Sequence, residues 1–405
     1  VTRALLLAVA LLAVAVPAAA GSRQVELGTE AFGYRTGSSP LNRDNVFGLD
    51  PDEGLLRAVL NWRESHGGLR LVFRGFAERR LGSDTDTDWR AREAYGQYSW
   101  GETFSLRAGK QRVAWGSGFV WNPTNRMEPP KNPLNTSLEQ EGALAVRADW
   151  IPTARAGVIV MAARSEAGGA GELPVTAAEV ERRGAAVRAR FLVEETDLAL
   201  VVSGGGNQHT LVGLDVARVL PAEISAHVEA AVYGGAELPP AREGQTFLRV
   251  AAGALRTFER TSVAVEYFFN GEGYDDAEAE AYLAGLDRAY ARSADPALPG
   301  PERAQARAAY VLAAGAPYAG GLGLRRHYLH ASWSRRSPGE RWTTTVRALF
   351  GLSDGAMAFT PGVSFAPRDD LTFAVDVVIL GGPETSEYRM TPFRGSVQAR
   401  VKLHF

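Results

Sequence analysis

The 405-residue chain contains no cysteine, which excludes a disulfide framework and any thiolate zinc site. It also lacks an excess of either charge. Its 44 Lys and Arg face 46 Asp and Glu, a net charge of −2, so no strongly basic surface points to nucleic acid. Beyond residue 20 no apolar run approaches the ~20 residues of a helical membrane span. Mean hydropathy is −0.14, far below a helical membrane protein. It is compatible with a barrel, in which only alternate residues need be apolar. A chain of this length is too long for one ordinary soluble core, whereas a barrel grows by adding strands.

What is present begins with residues 1–20. A cationic start at Thr2-Arg3, an apolar run from Ala4 to Val16, and small residues from Pro17 to Gly21 predict a secretory signal peptide. Residues 21–405 are then the mature chain. At its far end, Phe393, Gly395, Val397, Ala399, Val401, Leu403 and Phe405 alternate without a break with Arg394, Ser396, Gln398, Arg400, Lys402 and His404. Period two makes this a strand with one apolar and one cationic face. A soluble edge strand of this kind invites aggregation, but a membrane barrel closes the edge and turns the apolar face to lipid.

The same alternation recurs, as in Leu144, Val146, Ala148 and Trp150 or Leu371, Phe373, Val375, Val377 and Ile379. Strands are predicted near 25–34, 54–64, 68–79, 88–99, 103–113, 139–150, 153–163, 184–193, 196–204, 209–219, 222–233, 246–257, 260–270, 323–335, 340–352, 356–366, 370–380 and 392–405. The fold class is therefore all-β, a transmembrane antiparallel β-barrel of about 18 strands, with 16 as the alternative. Connections such as Ser65-His66-Gly67, Ile151-Pro152 and Glu194-Glu195 are tight. The long ones, 35–53, 114–138, 164–183, 234–245 and 271–322, all fall in the other set. This sorting predicts short periplasmic turns and long extracellular loops. The longest loop has helical spacing at Ala279, Tyr282, Leu283, Leu286 and Tyr290, suited to a cap or plug at the mouth.

One stretch is more distinctive: Leu106-Arg107-Ala108-Gly109-Lys110-Gln111-Arg112-Val113-Ala114-Trp115-Gly116, then Phe119-Val120-Trp121-Asn122-Pro123-Thr124-Asn125-Arg126. Over these twenty or so residues the chain resembles bacterial outer-membrane porin-like barrels of the DUF1302 group and, more loosely, alginate-export-type porins. The resemblance implies a strand top leading into an inward-folded loop. Lys110 stands where Arg is commoner in that group. On this reading 114–138 is a constriction loop, with Gln111, Trp115, Trp121, Arg126, Glu128 and Lys131 narrowing the pore.

Strand parity places Arg70, Arg74, Arg147, Arg188, Arg190, Arg249, Arg347, Arg394, Arg400 and Lys402 inside, opposed by Glu78, Asp149, Glu229, Glu266 and Asp376. A lumen leaning cationic favours anionic solutes, while full Arg–carboxylate pairing would leave it neutral. His327 and His330 fall on opposite faces of a strand, so no metal site is expected. Gly204-Gly205-Gly206 reads as a hairpin loop. No nucleophile-elbow spacing appears, so an enzyme is not expected, and no cofactor is implied. The reading is an outer-membrane, porin-like channel for passive passage of small solutes. The alternatives are a plugged barrel for polysaccharide or lipid export or surface binding, and, least supported, an outer-membrane hydrolase. Expected partners are outer-membrane lipid, the small solute and the barrel-assembly machinery, with Phe405 resembling the assembly signal.

Overall fold

In the computed structural model, residues 22–81, 87–129, 131–134, 140–167, 180–236, 238, 244–319 and 323–405 are described. The predicted signal peptide at 1–20 lies outside them, as do parts of the predicted loops 114–138, 164–183, 234–245 and 271–322.

Eighteen strands follow one another around the chain. They are β1 (Ser22–Thr36), β2 (Asp52–His66), β3 (Leu69–Leu81), β4 (Thr87–Trp100), β5 (Phe104–Gln111) and β6 (Ala143–Thr153). Next come β7 (Ala156–Ala167), β8 (Val180–Val193), β9 (Thr196–Gly205), β10 (Gln208–Leu220), β11 (Ile224–Gly234) and β12 (Thr246–Phe258). The last are β13 (Thr261–Asn270), β14 (His327–Arg336), β15 (Trp342–Gly351), β16 (Ala356–Arg368), β17 (Leu371–Gly381) and β18 (Phe393–His404). Each pairs antiparallel with its sequence neighbours, and β1 pairs with both β2 and β18, closing the sheet. The closing register runs from Glu26 opposite His404 to Tyr34 opposite Ser396. The backbone groups of Val25 and Phe405 extend it by two further bonds. Closure leaves no edge, the condition for a sheet to cross lipid.

Parity decides what each face carries. Leu144, Val146, Val160, Leu200, Val202, Val212, Leu214, Val375 and Ile379 are all exposed on the outer face, an apolar band that lipid covers. At the end carrying the short turns, Trp100 meets Tyr98 in a T-shape at 4.7 Å and Phe104 at a tilt at 5.3 Å, and Trp342 stacks on Phe365 at 4.3 Å. Aromatics at this level suit the membrane–water interface. The opposite end carries the long connections, along with tight turns at 206–207 and 352–355.

Strands β5, β6 and β14 are shorter than expected at their mouth ends, β6 starting at Ala143 rather than 139. β5 stops at Gln111 rather than 113. The Arg112 N–H is donated to the Glu93 side chain (3.0 Å) and the Val113 N–H to Glu128 (2.7 Å), so neither amide can continue the ladder. β14 starts at His327, not 323. Arg325 and Arg326 turn instead to Asp276 and to Asp275 and Glu278.

The connection after β13 forms two helices, α1 (Asp276–Ala294) and α2 (Gly300–Ala319). Asp275 caps α1 reciprocally with Glu278 at 2.9 Å each way, which satisfies first-turn amides. A short helix α3 (Glu387–Met390) sits between β17 and β18. Leu41 and Leu49 of the β1–β2 connection, Leu286, Tyr310, Ala314, Leu324, Tyr388 and Met390 join the inward ends of β13–β18, β1 and β2 in one buried apolar cluster. The mouth is thus packed on this side of the barrel.

Candidate lumen site

The inner wall carries charge, and most of it is paired. Arg57 bonds Glu78 at 2.5 Å, lies 3.8 Å from Glu30, and sits between the rings of Phe32 and Phe76 at 4.7 and 4.4 Å. Arg92 reaches Glu30 at 3.3 Å. An irregularity in the β3–β4 register between Arg74 and Gly75 leaves both Arg92 and Glu93 buried. Further round, Arg74 pairs with Glu93 (3.3 Å), Arg147 with Asp149 (2.5 Å), Arg188 with Asp215 (3.5 Å), and Arg190 with Asp197 (2.5 Å). Arg249 pairs with Glu272 (3.0 Å) and Lys402 with Glu26 (3.3 Å). Arg347 (3.2 Å) and Arg400 share Asp376. Arg394 donates to the carbonyls of Arg389 (3.0 Å) and Ser38 (2.5 Å). Arg70 is exposed at the short-turn end of β3, opposite Gln97 and Ser65.

The connection 112–142 carries the other predicted residues, and its contacts run along the inner wall. Ser117 donates to Asp215 on β10. Thr124 donates its N–H (2.8 Å) and hydroxyl (2.6 Å) to Glu229 on β11. The N–H groups of Phe119, Val120 and Trp121 all reach Glu266 on β13, at 2.5, 2.9 and 3.0 Å. Thr360 on β16 donates to the Leu134 carbonyl at 3.0 Å. A segment leaving β5 and returning at β6 therefore touches β10, β11, β13 and β16, and lies across the barrel interior.

Local sequence explains the route. Gly109 has φ +125, and a Cβ there would meet the Ala94 carbonyl oxygen at 2.3 Å. Gly116 has φ +90, and a Cβ would come 2.8 Å from Oε2 of Glu229. Glycine alone tolerates both demands. Asn122-Pro123-Thr124-Asn125 is a turn closed by the Asn125 N–H on the Asn122 carbonyl at 3.0 Å.

Within this segment Gln111 is fully buried and donates to the Ala145 carbonyl (3.0 Å). Trp115 is buried with Met127. Trp121 stacks on Phe268 at 4.8 Å. Arg126 lies over the Tyr233 ring at 4.8 Å. Glu128 binds Arg112 and the Val113 N–H, and burial raises its pKa. Lys131 donates to the carbonyls of Gly118 and Phe119 and to Asn122 at 2.8–3.2 Å, and burial lowers its pKa. A cleft beside the segment is lined by Trp121, Asn122, Arg126, Lys131, Arg182 and Arg249, among others.

Parity signalled the inward positions of Asp215 and His227, but not their contacts with Ser117 and Phe119 of a segment about a hundred residues away. Arg57, Arg92 and Arg107 also lie inward; alternation alone could have found Arg57 and Arg107, whereas the irregularity beside Glu93 hid Arg92.

No family description and no curated protein sequence matches the chain. Solved structures do. Pseudomonas aeruginosa OpdQ aligns with a TM-score of 0.59 at 10% identity, covering 96% of this chain and 99% of that one. Pseudomonas aeruginosa OccK5 (OpdH) gives 0.58 at 10%, covering 95% and 98%. The outer membrane protein OprD of the same organism gives 0.54 at 9%, covering 95% and 93%. The chain thus has the closed 18-stranded barrel fold that these outer-membrane proteins share.

Proposed function

We propose that the protein is an outer-membrane channel of porin type, passing small solutes through a charged lumen. The observation that carries this is a closed barrel with an apolar outer band, a charged inner wall and an inner segment at 112–142. Backbone crossing the lumen at strand depth is tolerated where it lines a water-filled passage. On this reading 112–142 is the constriction, with Arg126 and Trp121 at the cleft and Gln111, Trp115, Glu128 and Lys131 shaping it from within. Arg74, Arg147, Arg188, Arg347, Arg400 and Lys402 then stand as paired wall cations, and an anion preference requires that they outweigh their carboxylate partners along the passage. The 106–126 motif supports kinship with the DUF1302 group.

Planar-bilayer recording tests this reading. Wild type is expected to open with an anion preference, and Arg400→Glu with Lys402→Glu to shift the reversal potential toward cations. Folded protein that never opens would sink the channel. An unshifted potential would sink the cationic wall. The apolar cluster at the mouth favours a second reading, a plugged barrel that binds polysaccharide or lipid, and persistent closure would point to it.

A further inference from the structure

We infer that Glu266 is the positioning residue of the lumen segment, a carboxylate clamp that sets the aperture. The inference rests on the reading of 112–142 as the constriction. Three successive amides, Phe119, Val120 and Trp121, converge on this one side chain, which is fully buried. Consecutive N–H groups aimed at one anion fix the local backbone through charge-assisted bonds. Other wall contacts of the segment mix hydroxyls with amides: the Thr124 hydroxyl and amide at Glu229, the Ser117 hydroxyl at Asp215, the Thr360 hydroxyl at the Leu134 carbonyl, and the Gln208 amide at the Arg126 carbonyl.

Titratable groups face Glu266 from three sides. From β11, Nε2 of His227 lies 2.9 Å from Oε2, and the His227 ring meets the edge of Phe119 at 4.6 Å. From β14, His330 stands directly opposite Glu266 in register. His330 is buried, and neither ring nitrogen has a hydrogen-bond partner among the described residues. From the segment itself, Lys131 binds the carbonyls of Gly118 and Phe119. Arg347 of β15 lies beyond His330 and is committed to Asp376. Glu229 and Asp215 are the like charges nearby, each already accepting from the segment. A glutamine at 266 would fill the same space. Its amide presents only one acceptor oxygen and sets an NH2 donor against the remaining amides, so part of the clamp must open.

Bilayer recording and hydrogen exchange test the clamp together. Glu266→Gln is expected to raise open-channel current fluctuation, and the exchange rates of the Phe119, Val120 and Trp121 amides, about tenfold or more. Amides of the β13 ladder should stay unchanged. The chain has no cysteine, so a disulfide can pin the segment independently. A Cβ at Gly213 would lie 3.2 Å from that of Thr124, a few tenths short of the ~3.5–4.5 Å span of a disulfide. Thr124→Cys with Gly213→Cys in the Gln background should quiet the current when oxidised and lose this on reduction. A Gln variant that matches wild type in both current and exchange would overturn the clamp, as would a disulfide with no quieting effect. If the Gln variant does not insert, Glu266→Asp reads the same signals, since a shorter carboxylate keeps the charge but reaches fewer amides. Wild-type protection of 119–121, lost in the variant of a barrel that passes no ions, would uphold the clamp while removing the channel reading.

Discussion

Two bodies fill this barrel, and they are held in opposite ways. The segment 112–142 is tied to β10, β11 and β13 by carboxylates that accept from its amides and hydroxyls. The packing at the mouth, under α1 and α2, is an apolar cluster sealed by tyrosines. Tyr310 donates to the Pro40 carbonyl at 2.8 Å and accepts the Arg43 N–H at 2.9 Å. Tyr282 donates to the Ala313 carbonyl at 2.8 Å. The first body depends chiefly on charge at a few points, with Leu134 and Trp121 reaching into the apolar cluster, and the second on shape over many. Charge-assisted bonds hold a segment in place without filling the space around it, as a passage requires. Close apolar packing excludes water and suits the closed side of the mouth.

The comparison can be broken most forcefully at the mouth. Tyr310→Ala should cost the packed cluster about 3–5 kcal/mol, as expected for a buried aromatic. Protease access to α1 and α2 should then rise, while exchange at 119–121 stays as in wild type. A change at both places would mean that the two bodies are one unit.

The next effect concerns pH. Burial raises Glu387 on α3 to about 8, despite the Tyr328 hydroxyl donating to it at 2.5 Å. A carboxyl whose folded pKa exceeds its unfolded value contributes stability that is fully present below the unfolded pKa. That contribution falls away as pH rises through about 8. Protease access at the mouth should therefore increase between pH 6 and pH 9. Glu387→Gln, which stays neutral throughout, should flatten the profile, and an unchanged slope would assign the dependence elsewhere.

The smallest effect is expected at the lumen. Thr124→Val removes the hydroxyl bond to Glu229 but leaves the backbone bond to the same oxygen. The loss is about 1.5–3 kcal/mol of local anchoring. Exchange at Thr124 and Asn125 should quicken without loosening the mouth. An effect as large as that of Tyr310→Ala would erase the distinction between the two bodies.

Much of the frame was legible because a strand's period is two. Val397, Ala399 and Val401 against Gln398, Arg400 and Lys402 announced an outer and an inner face, and β18 closing on β1 follows from them. The tight turns at one end were equally readable. The site was less so. Parity puts Glu229 and Glu266 on the inward face as lining residues, and both accept from 112–142. Lys131 and Glu128 read as residues narrowing the pore, and their side chains are committed to contacts within that segment. Arg325 and Arg326 read as strand residues and instead reach the first turn of α1.

The sequence by itself determined the barrel, because alternation and turn chemistry act between neighbours along the chain. Only the tertiary structure decided where 112–142 lies, because its position depends on partners about a hundred residues away or more. A buried carboxylate takes whichever donors the closed sheet brings to it, and no local pattern records which they are.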